Sequence, residues 1–121
     1  MTDKVVVLVS TRTLKEARKI ALALVKDELA ACVNLSGPLE SVYQWQGRVE
    51  RSRERLLLIK TSRDAFPQVQ AAIRKLHSYV TPEMICLPIV DGSHDYLDWL
   101  TQSIKAAPQP MQPPDGDQAA I

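Results

Sequence analysis

The chain has 121 residues, with 15 Lys and Arg against 14 Asp and Glu and a formal net charge of +1. That length suits one domain that buries a core without disulfide or metal support, and the balanced charge excludes a global field that would recruit nucleic acid or a membrane surface. The apolar run from Val5 to Val9 is too short for a signal-peptide core or a membrane span. Cys32 and Cys86 lie far apart in apolar runs and read as buried, unbridged thiols of a reducing, cytoplasmic setting.

VVVLVS is an unbroken β-branched run and reads as a strand buried on both faces. Thr13 with Glu16 three positions later forms a capping-box signature, and Leu14, Ala17, Ala21, Leu24 and Val25 mark one face of a helix over 13–28. From Ala30 to Thr61 the helical period is missing and the composition is that of strands; Gly37 and Pro38 interrupt the first arm, and Gln46-Gly47 is the hairpin tip. A second helix follows, with Ser62 or Asp64 as its cap, Pro67 in its first turn and the stripe Phe66, Val69, Ile73, Leu76.

The helix gives way to HSYVTPE, a rigid connector in which Pro82 pushes Thr81 toward extended geometry. A strand from Met84 to Val90 comes next, then Asp91-Gly92 as a turn, and Ser93 as the cap of a third helix carrying Tyr96, Leu97, Leu100 and Ile104. The predicted order is the split βαβ pattern of an α+β, ferredoxin-like βαββαβ sandwich with an extra C-terminal helix. Pro88 inside the last strand fits an edge position. The folded unit spans 1–105. Four of the eight prolines fall in the last fourteen residues, so 106–121 reads as a flexible Pro-rich tail.

Both hairpin arms, 39–46 and 48–61, exceed the usual strand of about five or six residues, so the hairpin is predicted to overhang its own subunit and pair with another copy. RVERSRER mixes charges without interleaved aromatics. It reads as a solvated or inter-subunit strand laced with ion pairs rather than a nucleic-acid ribbon, and ERLLLIKT has no stacking rings for RNA. Tyr43 and Trp45 share one strand face, for cross-strand packing or as the wall of a cleft. Glu54 and Lys60 also share a face but stand about 20 Å apart, so one cleft using both must draw on a neighbouring strand or another chain.

His77 and His94 are seventeen positions apart and neither cysteine has a Cys-x-x-Cys partner, which argues against a closed zinc site. A looser metal site from His77, Glu83 or a thiol across subunits stays open. The chain has no Gly-x-Ser-x-Gly elbow, no Gly-rich phosphate loop and no cysteine beside a histidine, so it reads as a non-enzyme.

ACVN at 31–34, Tyr43-x-Trp45-x-Gly47, IKT at 59–61, Tyr79-x-Thr81-Pro82-Glu83, and Gly92 followed by Tyr96-Leu97-x-Trp99-Leu100 together resemble the CutA family of divalent-cation tolerance proteins over everything but the tail. The resemblance implies a ferredoxin-like subunit in a compact homotrimer whose hairpins pair between chains, similar in fold to the trimeric PII signalling proteins. It further implies binding of copper (Cu2+) or another divalent cation, with no reaction assigned and no cofactor required. The inter-subunit cleft it implies is lined by Trp45, Glu54, Lys60, Tyr79, Glu83, Tyr96 and Trp99, with His77 and Cys32 as metal candidates. The chain departs from the family pattern at Ser78, where the family commonly has proline, and at Val9 and Leu76, where the members with the stronger case for copper carry a cysteine and a second histidine. The expectation is a cytoplasmic homotrimer that binds divalent cations, without nucleic-acid or membrane partners. The alternatives are a PII-like signalling or scaffold trimer taking a small anionic metabolite through Lys60 and the arginines of the arm, and an acylphosphatase-like hydrolase, for which STRTLKEA offers Arg12 but no glycine.

Overall fold

β1 (Lys4–Thr11) alternates: Val5, Val7 and Val9 are fully buried, while Val6 and Leu8 on the other face are half-buried. The computed structural model describes residues 1–105, and the expected tail lies outside them. The first face is thus fully buried, whereas the second, which the unbroken apolar run also predicts to be inside, is buried at Lys4 and Ser10 but only half-covered at Val6 and Leu8. The difference arises because α1 (Leu14–Lys26) and α2 (Phe66–Leu76) pack their apolar stripes on one side of the sheet, where Ala17, Ile20, Leu24, Val69 and Ile73 close the core over β1. Each large aliphatic side chain buried there contributes roughly 1.5–3 kcal/mol.

Thr13 is the N-cap of α1, and its hydroxyl accepts the Glu16 N–H at 3.1 Å. Among the described residues the return bond of the capping box is not made. The Glu16 carboxylate turns instead toward His77, with Oε2 3.5 Å from Nδ1.

β2 (Cys32–Leu35) and β3 (Leu39–Trp45) are the two parts of the first hairpin arm, separated at Gly37 and Pro38 as the sequence predicts. At the break Ser36 keeps the opposite strand satisfied, because its N–H donates to Leu56 C=O at 2.9 Å and its Oγ accepts Leu56 N–H at 3.1 Å. Gln46 (φ 52°) and Gly47 (φ 79°) both take positive φ, as a two-residue type I′ turn requires. β4 (Arg48–Ser62) runs fifteen residues. Its first half pairs only with β3, from Trp45 opposite Arg48 to Leu39 opposite Glu54, and its second half lies between β2 and β1.

β5 (Ile85–Pro88) is shorter than the expected 84–90 and pairs antiparallel with β1, with Pro88 opposite Val5. The sheet order is β2-β4-β1-β5, antiparallel throughout, with Pro88 on an edge as anticipated. Neither Ser62 nor Asp64 is the N-cap of α2; that position is Ala65, because β4 extends through Ser62, whose hydroxyl accepts Ala65 N–H at 3.2 Å from the strand's end. Ser93 does occupy the N-cap position of α3 (His94–Ser103), without a side-chain bond. Beyond α3, Ile104 packs on the core and Lys105 N–H donates to Glu28 C=O at 2.8 Å. Both cysteines are free and half-buried rather than buried.

Candidate functional site

Register decides what meets at the site. On β4 the side chains of Arg48, Glu50, Ser52 and Glu54 alternate onto the same face of the hairpin as Trp45, Tyr43, Ser41 and Leu39 opposite them. Further along that face come Leu56 and Leu58, on the sheet side away from α1 and α2. Glu54 stands at the junction, where the free hairpin becomes the five-stranded sheet. The α2–β5 connector passes this junction and carries Tyr79 and Glu83 to it.

The result is an open cleft of about 820 Å³ whose walls include Arg12, Tyr43, Trp45, Glu54, Tyr79 and Glu83, with Glu50 further along the hairpin. Tyr79 is held from behind. The buried His77 ring donates from Nε2 to Ser10 C=O at 2.7 Å and accepts Tyr79 N–H on Nδ1 at 3.0 Å. The two rings sit 4.7 Å apart. The Tyr79 hydroxyl donates to Glu54 Oε2 at 2.8 Å, and the Arg12 guanidinium lies 5.7 Å from the Tyr79 ring centroid. Burial, and then the hydrogen bond to Glu54, push the phenol from its ordinary 10.0 up to about 12.

Glu54 is the most buried acidic residue lining the cleft. Its residue is only 7% exposed, yet among the described residues no Lys, Arg or His lies within ion-pair distance of it. The hydroxyl of Tyr79 is its one hydrogen-bond donor there. Buried charges are ordinarily paired. A second carboxylate sharpens the point: partial desolvation, and then the charge on Glu54, hold Glu83 above the usual carboxylate range.

The seven expected cleft residues fall into two groups within one chain. Trp45, Glu54, Tyr79 and Glu83 surround the cleft. Lys60, Tyr96 and Trp99 form a separate cluster, in which Lys60 Nζ donates to Asn34 Oδ1 and lies 6.0 Å from the Tyr96 ring, itself stacked on Trp99 at 5.7 Å. The metal candidates are likewise apart. Cys32 faces Lys60, whose β1 partner is Val6, whereas His77 is bonded to Ser10, four residues and about 13 Å along β1. Both His77 nitrogens are already engaged. Among the described residues no three His, Cys, Asp or Glu side chains gather tightly enough to hold a metal.

Sequence reasoning missed Glu50 and Arg12 as cleft members. Glu50 was within reach of it, because a two-residue turn at Gln46-Gly47 sets Tyr43 opposite Glu50. Arg12 depends on the β1–β4 register and on the path of the connector, for which the sequence has no local signal. Along RVERSRER, read from sequence as a solvated or inter-subunit strand laced with ion pairs, no pair within the chain joins an arginine of the arm to a glutamate among the described residues.

An antiparallel sheet with an overhanging hairpin, helices on one face, and an acidic cleft with open aromatic walls define a small α+β domain whose distinctive chemistry lies at the hairpin's root. Residues 5–103 match the family model described as CutA1 divalent ion tolerance protein. A divalent-cation tolerance protein CutA from Thermus thermophilus is 47% identical over 98 residues, covering 81% of this chain and 95% of its own. A chloroplastic CutA protein from Arabidopsis thaliana is 40% identical over 101 residues, and there the match spans 84% of this chain but only 56% of the longer relative. The solved Thermus thermophilus divalent cation tolerance protein superposes with a TM-score of 0.83 at 45% identity, over 84% of this chain and 99% of that one. The chain belongs to the CutA1 divalent ion tolerance family.

Proposed function

We propose that the chain binds divalent cations, without catalysing a reaction, as a ferredoxin-like homotrimer in the cytoplasm, and that Glu54 and Glu83 are the anionic pole of its site. The single observation that carries this reading is Glu54, a residue more than nine-tenths buried whose carboxylate has no cation within ion-pair distance among the described residues of its own chain. Trp45 and Tyr79 complete that wall. The separate cluster of Lys60, Tyr96 and Trp99 is assigned to the same cleft through a neighbouring copy, since one chain cannot bring the two groups together.

Association is supported by apolar surface left open. Val42 and Val49 on the hairpin are 61% and 70% exposed, and Ile85 and Leu87 add half-exposed side chains to the sheet face that the helices leave uncovered. The two free thiols support a reducing compartment. Among the described residues no helix is long and apolar enough to cross a membrane.

The donor set favours a hard, oxygen-bound cation over copper. Copper prefers imidazole and thiolate, but His77 spends both nitrogens on Ser10 and Tyr79, and Cys32 lies at the other end of the sheet. Carboxylates with water in the shell suit calcium, magnesium or manganese. An anionic ligand, the PII-like alternative, would meet Glu50, Glu54 and Glu83 against the guanidinium of Arg12.

Native mass measurement tests the assembly, with a particle three times the 13.5 kDa chain expected. Calorimetric titration with Mn2+ and Cu2+ tests the site. Mn2+ heat that disappears in Glu54→Gln and Glu83→Gln but persists in His77→Gln supports the reading. Copper binding lost only in His77→Gln, with Mn2+ silent throughout, overturns it.

A further inference from the structure

The solvent side of α1 consists of Lys15, Arg18, Lys19, Leu22, Val25 and Lys26, all exposed and with no acidic residue among them, since Glu16 turns inward to His77. On α2, packed on the same side of the sheet, the exposed charges are Arg74 and Lys75. Taking these six cations from the fifteen basic residues leaves nine against all fourteen acidic ones, so the helix layer concentrates positive charge that the net +1 conceals. Among the described residues none of the six lies within ion-pair distance of a carboxylate. Of the two acidic residues that follow α1, Asp27 is the C-cap beyond the stripe and Glu28 is met by Lys105 at 3.7 Å. The stripe also has an apolar centre. Leu22 is 71% exposed and Val25 42%. Lys15, Lys19, Leu22 and Lys26 succeed one another at helical spacing along about 17 Å, with Arg18 and Val25 alongside. A face that only meets water ordinarily interleaves both signs; this one has a projecting leucine ringed by cations. It points away from the sheet face and hairpin through which self-association is proposed, so it stays open in that assembly.

We propose that the outer face of α1, flanked by Arg74 and Lys75 of α2, docks on an anionic membrane surface, with Leu22 and Val25 at the acyl boundary and the surrounding cations on the headgroups. Charge complementarity selects the anionic partner, and the apolar centre selects lipid among anions. A phosphodiester backbone would gain nothing from Leu22, and the face has no ring on which a base could stack. Long basic side chains around an apolar centre are the means by which an interfacial helix lies on lipid, stems inward and charged heads among the headgroups. The cytoplasmic leaflet supplies the negative surface such a patch needs. The inference is independent of the cation cleft, which lies at the root of the hairpin.

The test is co-sedimentation of the full chain with phosphatidylcholine vesicles, with and without phosphatidylserine. Binding is expected only where phosphatidylserine is present, and it is expected to weaken as salt is raised. Each cation near such a surface adds roughly fivefold in affinity, so the double variant Lys19→Gln, Lys26→Gln is expected to bind roughly 25-fold more weakly. Leu22→Ser keeps every charge and is expected to bind about threefold or more weakly. The control Arg51→Gln, Arg53→Gln, on the hairpin, is expected to stay within about twofold of wild type. All these side chains are exposed, so thermal melts of the variants are expected to overlay wild type. Binding that ignores phosphatidylserine, falls equally in the hairpin control, or is unchanged in Leu22→Ser overturns the proposal. So does capture of polyglutamate or an oligoribonucleotide through Lys19 and Lys26 with the vesicles left unbound, which would make the face a site for an acidic polymer.

Discussion

Replacing Tyr79 by Phe isolates a single oxygen atom. The ring stays, with its contacts to His77 at 4.7 Å and to the Arg12 guanidinium at 5.7 Å, while the hydroxyl that donates to Glu54 Oε2 at 2.8 Å is removed. A hydrogen bond to a charged group contributes about 1.5–3 kcal/mol, and here its loss strands a buried carboxylate, so a destabilisation of about 2 kcal/mol is expected at pH 7–8. Urea unfolding at fixed protein concentration measures it, because the proposed self-association would make stability depend on concentration. A double-mutant cycle with Glu54→Gln is expected to return a coupling of about 1–2 kcal/mol, the range for residues in direct contact.

The alkaline limb provides an independent check on the same bond. The folded-state phenol titrates at about 12 instead of 10.0, so its stabilising contribution is complete below pH 10 and is lost as the pH rises to about 12. That part of the alkaline destabilisation is expected to vanish in Tyr79→Phe. A change below about 0.5 kcal/mol at pH 7–8, or strict additivity with Glu54→Gln, would refute the claim that the hydroxyl is what supports the buried carboxylate.

Three further outcomes follow from other parts of the molecule. Glu83 has a folded pKa raised above 4.5, so it favours folding only at acid pH and that contribution is lost as the pH rises through the folded value; Glu83→Gln is therefore expected to match wild type below pH 4.5 and exceed it at pH 7 in thermal melts. Ile59 is fully buried on β4 in the core that both helices close, and Ile59→Ala is expected to cost about 2–5 kcal/mol in urea unfolding. Gly47 has φ 79° with nothing within 4 Å of where a Cβ would stand, so Gly47→Ala is penalised by backbone conformation alone, by roughly 1–2 kcal/mol, whereas Gly37→Ala, equally uncrowded and without a positive φ, is expected to cost less in the same assay.

What the sequence reveals and what it conceals divide along a physical line. Periods and turn chemistry are local. The stripe Leu14, Ala17, Ala21, Leu24 and the pair Gln46-Gly47 are therefore readable, and the two-residue turn also sets the register of the whole hairpin. Caps are less legible, since Ser62 has the right chemistry for a helix cap but the β4 ladder claims its backbone first. Long-range register is not legible at all. Nothing near Arg12 announces Tyr79, and nothing near His77 announces that Ser10 C=O and Tyr79 N–H will occupy its nitrogens.

His77 shows why a residue type is a weak guide to its job. As a buried ring donating to β1 on one side and accepting from the connector on the other, it fixes where Tyr79 stands, and Tyr79 in turn holds Glu54. Its place in the cleft is one step removed from any ligand. A histidine that ligated a metal directly would have to give up one of those two bonds, releasing either β1 or the backbone of Tyr79, and with it the hydroxyl that faces the buried carboxylate. The same atoms therefore cannot serve both arrangements at once, and the proposed cation site accordingly rests on the carboxylates of Glu54 and Glu83 and not on His77.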